Sequence, residues 1–541
     1  MSLRRRASAM LGATALSLGL IAALAPPGAN AQPKAKPVTN AALINYLHTH
    51  GNLPLHGAAT LQRAKAYAAA HAGLAPAAPS SRKAGAAPTI GASWQGINDG
   101  TVSPPDTNGA IGPNSYVEII NLKIAIYTRA GGGLTASANL STLTGHSQFN
   151  LSDPMAIWDP DTQRFFYNVW DVAQSTMAWG FSKDTNPTSI PSSFCNYTAS
   201  FGYNPSTDIP DYPKLGQTKG FLLIGVNHYP SFASLHADRS DVLWISKPQG
   251  QSPVTTCPAA STFTTGKFTN LKNSDGSQAF TPVPAIQTDP SATGFVTTMS
   301  DIECPDICGT GTKITVHAVR ANPHNPAVPQ LLTAGHSITV PGFTSPPNAP
   351  QKGTTNVLDT NDGRLTHAVS GVDPSHSNKL AIWVAHTVAG GAGSQINWYE
   401  INPFPVATPS LFQSGIVSDP SLYVFNAGIA NDRMVVASGT GTHGDAMVLG
   451  FSTSSSTTFP ASQMVSKIGT GAQSAFVLVK QSATFDNDFT CTNATGNGCR
   501  WGDYGGATPD PAAPAGTHGE VWLTNEWTNG SNQTWNWEAK P

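Results

Sequence analysis

The sequence predicts an all-β fold, a β-propeller of seven blades, and three observations lead there. From about Thr89 onward the text is short runs of β-branched and aromatic residues divided by Gly, Pro, Asn and Asp, the pattern of strands at hairpin spacing. Examples are "SYVEIINLKIAIYT", "RFFYNVWD", "FLLIGVN", "KITVHAV", "LAIWVAHTV" and "EVWLTNEW". This stretch is long for one small core and suits a large domain built from repeats. Finally, an acid or other polar residue beside small residues recurs ahead of a hairpin, in "PPDTNGAIG" at Asp106, "LSDPMAIWD" at Asp153 and "IPDYPKLG" at Asp211. The series continues with "PVPAIQTDP" near Gln287, "GRLTHAVSG" at His367, "LYVFNAGIA" near Asn426 and "RWGDYGG" at Asp503. Seven starts at irregular spacing, roughly fifty to eighty residues, suit seven blades with decorated loops, and leave six or eight open.

Taken in order, residues 1–31 read as an export segment. "LRRR" supplies positive charge, "MLGATALSLGLIAALA" an apolar core, and "ANA" a small-residue cleavage site before Gln32. Residues 32–90 are a short leader: "NAALINYLHTHG" and "TLQRAKAYAAAHAG" have helical spacing, and "LAPAAPSSRKAGAAP" reads as linker. Helical prosegment, cell-surface spacer and poorly ordered leader all fit, and the last is the simplest. Residues 91–541 are the propeller, with "ASWQGIND" (Ala92 to Asp99) a candidate to close the ring against the last blade.

Composition excludes some functions. A net charge of −2 with 11% charged residues gives no general polyanion-binding surface, so neither nucleic acid nor acidic membrane is the expected partner. No segment after the export signal is apolar enough to span a bilayer. Six cysteines in an exported chain point to disulfides. Cys304–Cys308 and Cys491–Cys499 would staple short loops, leaving Cys195 with Cys257. The expected product is a secreted monomer, extracellular or at the cell surface.

The landmarks "SPPDTNGAIGPNSYVEIIN", "SDPMAIWDPDTQRFFYNVWD", "PDYPKLG" and "RWGDYGG" together resemble those of a group of exported bacterial and fungal β-propeller proteins, over about Ser103 to Trp527. The resemblance implies the propeller and export, and it transfers no catalytic residue. Sialidase-type boxes are not matched: "NSDGSQAF" carries only the first part of S-x-D-x-G-x-x-W.

In a propeller, residues at the start of each innermost strand ring one mouth of the central channel. Asp106, Asp153, Asp211, His367 and Asp503 would therefore converge, with Tyr212, Lys214 and Tyr504 beside them. Clustered carboxylates repel, so at least one must be protonated, paired or metal-bound. An Asp ahead of a strand also caps turns with no further role.

Three chemistries compete at such a ring. A glycoside hydrolase needs two carboxylates, from Asp153, Asp211, Asp503 and Glu303. A polysaccharide lyase needs a His or Tyr base and a cation to neutralise the uronate, for which His228 with Tyr229, and Arg364 with His367, are candidates. Calcium held by Asp oxygens is the third use; "DTNDG" (Asp359 to Gly363) has part of a calcium-loop pattern but lacks its downstream Glu. No cofactor is required by the first two. Among twelve tryptophans and twelve tyrosines, Trp94, Trp170, Trp179, Trp527, Trp535 and Trp537 are candidates to stack on sugars, against their ordinary use in blade packing. The expected function is cleavage of an extracellular polysaccharide at one channel-mouth site; the alternative is a non-catalytic carbohydrate- or protein-binding propeller. Nucleophile elbows, Walker loops and dinucleotide fingerprints are absent from the sequence.

Overall fold

A strand with apolar residues on both faces must be covered on both, and stacking sheets around an axis does this without leaving a long edge. The computed structural model describes residues 84–541 except 232–233, 235, 303–308, 333, 436–440, 493–497 and 515, together with Lys65 and Ala68. The strands pair as successive antiparallel hairpins in seven blades. Their innermost strands are Asn108–Ile111, Leu151–Asp159, Ile209–Gln217, Ala279–Pro284, Leu365–Asp373, Tyr423–Asn431 and Gly506–Pro509. Each touches the next, and the seventh touches the first, so the ring is closed. The protein is a seven-bladed β-propeller.

Blade four carries an extra outer strand, because Asn325–Leu331 and His336–Phe343 both pair with Gly311–Asn322. Blade five gains Ile286–Gln287, which runs parallel to its inner strand.

Closure joins the two ends of the domain. Thr89–Gln95 pairs antiparallel with Asn532–Lys540 as the outermost strand of blade seven, as expected for "ASWQ", though the strand starts two residues before the boundary read from the sequence. Trp94 wedges against Tyr116 and Tyr127 of blade one and Trp522 of blade seven, with ring centroids 5.5, 5.4 and 5.7 Å away. Of the other ten tryptophans all but Trp535 are also buried, Trp170, Trp179, Trp383, Trp398, Trp501 and Trp537 almost completely and Trp527 the least. The packing reading of Trp94, Trp170, Trp179 and Trp537 therefore holds, and these rings present no sugar-stacking face.

Disulfides Cys195–Cys257 and Cys491–Cys499 are formed. Cys304–Cys308, Glu303, the export segment and the leader apart from Lys65, Ala68 and residues 84–90 lie outside the described residues. Lys65 and Ala68 are helical, and the rest of "TLQRAKAYAAAHAG" lies outside the described residues. Among the described residues no helix is long and apolar enough to cross a membrane.

If the first strand closes the ring, Trp94→Ala should remove about 3–5 kcal/mol of stability, the usual cost of emptying a buried aromatic site. The measurement is the urea unfolding midpoint. An unchanged midpoint would mean that the ring closes without this strand.

Candidate functional site

A repeated backbone device aims residues into the channel. The inner strands slip register between Ser152 and Met155, Asp211 and Lys214, Phe280 and Val283, Leu365 and His367, and Phe425 and Gly428. Within four of these bulges Asp153, Tyr212, Thr281 and Asn426 have φ between 48° and 59°. Three are followed by proline (Pro154, Pro213, Pro282), which has no N–H to lose from the ladder. Asp106, at φ 51°, holds the same place just before the first inner strand. A bulge re-aims side chains at the rim of a sheet, and repeating it round the ring turns them toward one mouth.

The groups that meet there form one connected network. Asn121 donates to Asp106 Oδ2 at 2.8 Å and accepts from the backbone N–H of Asp153 at 2.9 Å. The N–H of Asp503 donates to the other Asp106 oxygen at 3.1 Å. Tyr504 donates its hydroxyl to Asp153 Oδ2 at 2.9 Å, joining blades seven and two. Tyr212 and Lys214 both donate to the Asp503 carbonyl, at 2.8 and 3.2 Å. The Lys214 ammonium lies 3.8 Å from the Tyr212 ring centroid and 3.3 Å from that of Tyr504. Arg364 grips Asp362 through two nitrogens at 2.8 and 2.6 Å and lies over Tyr212. Arg500 bridges Asp359, at 2.9 Å, and Asp503.

Local sequence explains "CRWGDYGG". Trp501 is buried against Phe425 and donates its indole N–H to Ser452. The N–H of Gly502 donates to Glu526 at 2.8 Å, and a Cβ there would sit 1.8 Å from that carboxylate. Gly505 packs on the backbone of Ala427 and Gly428, where a Cβ would stand 3.1 Å from main-chain atoms. The glycines let neighbouring inner strands approach.

Burial dominates the electrostatics. Asp106 and Asp153 are pushed above the usual carboxylate range, by loss of water and by neighbouring carboxylates. Asp211 is pushed up to about 8 by desolvation and the Asp153 charge, with Arg364 opposing. Lys214 is driven well below its ordinary value by desolvation, against the pull of Asp106, Asp503 and Asp153. Burial also raises Tyr212 and Tyr504 and lowers His367 to about 4. His367 holds the Ile429 carbonyl at 2.8 Å through Nδ1 and, among the described residues, has no hydrogen bond at Nε2. Asp503 is the most open of the mouth acids, with its side chain 20% exposed.

The structure sorts the predicted residues. Asp153, Asp211, Asp503, Arg364 and His367 come together with Asp106, Tyr212, Lys214 and Tyr504. Tyr229 and His228, adjacent on one strand, point apart as strand alternation requires. Tyr229 is close enough to Arg364 to bias its charge. His228 is pinned between Asp208 at 2.9 Å and Asp238 at 2.6 Å and lies against Tyr203, outside the mouth network. Gln287 does not hold the blade-four position: it lies past the far end of that inner strand, its carbonyl 3.3 Å from Gln217 Nε2, and Thr281 occupies the bulge instead. Arg500 and Glu526 were not singled out in the sequence, and Asp359 and Asp362 stood there only within the "DTNDG" calcium-loop pattern. Arg500 stood beside "WGDYGG" as the only visible signal.

Three groups of ligating side chains lie within metal-binding reach among the described residues. They are Asp373–His376–Glu400, Asp432–Asp445–His518, and Asp486 with the two cysteines of a disulfide. None is made of the mouth acids.

No family model and no curated relative matches the chain. Among solved structures it is similar to the WD40 domain of SCAP from fission yeast, with 11% identity, 79% of this chain and 82% of that one covered, and a TM-score of 0.31. It is also similar to a glycoside hydrolase (8% identity, 61% and 86% covered, TM-score 0.30). Drosophila Semaphorin 1b, extracellular domains 1–2, is a third such structure (7% identity, 84% and 87% covered, TM-score 0.34). Likenesses this distant carry no argument about chemistry.

The titration of Asp211 has a sign that can be measured. Unfolded, its carboxyl loses its proton near about 3.9; folded, it keeps it to about 8. Across that window the folded chain binds more protons, so this group's contribution makes stability fall as pH rises from about 4 to about 8. Asp211→Asn should match the wild type near pH 4 and melt higher than it at pH 8, by scanning calorimetry. Parallel wild-type and variant profiles would contradict the assignment.

Proposed function

We propose that this is an exported carbohydrate-active propeller that cleaves an extracellular polysaccharide at the channel mouth, with carboxylates as acid and base. One observation carries the reading: acids from separate blades meet in one network whose environments differ. Glycoside hydrolysis needs one carboxyl that holds its proton and a second that is ionised. Asp211 keeps its proton toward neutral pH through burial beside Asp153. Asp503 is paired with the Arg500 guanidinium and reaches solvent. In this reading Asp211 is the proton reservoir and Asp503 faces the substrate as base or nucleophile. Lys214, Tyr212 and Tyr504 hold the Asp503 segment in place.

The lyase reading loses His228 to its carboxylate clamp and keeps Tyr229, Arg364 and His367 as its set. The non-catalytic reading is favoured by a separate observation, that the mouth carboxylates other than Asp503 are under a tenth exposed. Export itself belongs to this proposal: it rests on residues 1–31 and the landmark resemblance, and two disulfides fit an oxidising compartment.

The test is a panel of neutral, acidic and amino-sugar polymers digested with purified protein, read for new reducing ends and ultraviolet absorbance. New reducing ends without absorbance are expected, and Asp503→Asn should lower the rate about 10²–10⁴-fold with the fold intact. Absorbance at new chain ends would shift the chemistry to Tyr229, Arg364 and His367. Binding without turnover on every polymer would overturn the enzyme reading.

A further inference from the structure

Beside the acid network, a buried lysine of the leader reaches the propeller. Lys65 is buried, 7% exposed, although 295 residues separate it from Thr360, its partner. Its ammonium donates to Thr360 Oγ1 at 2.7 Å and to the Asn361 carbonyl, and lies 3.5 Å from Asp359 Oδ1. A primary ammonium has three N–H donors, and here it meets three acceptors of different kinds: hydroxyl, carbonyl and carboxylate.

The acceptors are also held by contacts that do not involve Lys65. Asp359 is fixed by the Cys499 carbonyl, which accepts its N–H, and by Arg500 on its second oxygen. Thr360 donates its own hydroxyl proton to the Pro347 carbonyl at 2.9 Å, leaving its lone pairs for the ammonium. Asn361 takes φ 61°, and its N–H returns to Asp359 Oδ1 at 2.9 Å. Asp359 and Thr360 are each 2% exposed. Asp359, with Asp362 nearby and joined to Asp503 through Arg500, attracts a second cation because charge taken from water must be paired, and this pull opposes the burial that lowers Lys65 from its ordinary value.

We propose that the Asp359–Thr360–Asn361 loop is a binding subsite for a primary ammonium group, filled in cis by Lys65 and open to competition from an amine-bearing ligand. "DTNDG" is thus an ammonium-holding turn, where its sequence had suggested only part of a calcium loop. Arg500 links the subsite directly to Asp503, so a ligand amine held here lies next to the acid mouth. On the polysaccharide reading, and for this clause alone resting on it, the ligand is an amino-sugar polymer with free amines.

The test is calorimetric titration of the full chain and of Lys65→Met, with n-butylamine, glucosamine and N-acetylglucosamine as probes. Lys65→Met is expected to bind the first two at least tenfold more tightly than the wild type, and N-acetylglucosamine no better. Adding Thr360→Val should abolish the gain, and Lys65→Ala should reproduce it should the methionine variant fold poorly. Equal binding by wild type and both Lys65 variants would overturn the subsite. So would acceptance of the acetylated sugar as readily as glucosamine. Binding of butylamine but not glucosamine would overturn the amino-sugar assignment. None of these readouts depends on turnover, so failure of the cleavage reading and failure of this one are separable.

Discussion

Carboxylates brought together away from water must be neutralised, and the mouth of this propeller is organised around that constraint. Asp106, Asp153, Asp211 and Asp503 come from four blades and meet at one mouth of the ring. The protein meets the repulsion in three ways: protons kept on buried acids, guanidinium groups (Arg364, Arg500) set among them, and hydrogen bonds from Asn121, Tyr504 and the Asp503 backbone. Some of these hydrogen bonds tie one blade to another. Tyr504 joins blade seven to blade two, and Tyr212 joins blade three back to blade seven. The same network that raises the carboxyls therefore also holds the inner strands in register.

Backbone geometry makes this convergence possible. A regular strand would alternate its side chains between the two faces of its blade, with none aimed along the channel. The bulges at Asp153, Tyr212, Thr281 and Asn426 break that alternation at one level of the ring. Proline after three of them fits the unpaired position, while Gly502 and Gly505 let blade seven close against its neighbours. Strain at Asp153 and Tyr212 is offset by the network they feed, which is where such strain is usually found.

Much of the fold was legible in the sequence, because alternating strands and turn residues are local signals. Blade starts at Asp106, Asp153, Asp211, His367, Asn426 and Asp503 fall in separate blades in the right order. Blade four was misplaced at Gln287 because "QTDP" carries an acid, whereas the true bulge "FTPVP" has threonine at the position that bends. His228 and Tyr229 could not be separated without knowing which strand face looks inward. Arg500 with Asp359, 141 residues apart, and Lys65 with Thr360 are pairings that no local pattern announces. Charge partners across a ring are set by topology, and topology was known only as a class.

Residues from different blades touch across the mouth as one network. A double-mutant cycle on Asp153→Asn and Tyr504→Phe, read as unfolding free energy in urea, tests it most directly. The account predicts clear non-additivity, about 0.5 kcal/mol or more, as expected for groups in direct contact. Strictly additive effects would mean that blades two and seven do not meet there, and would contradict the account.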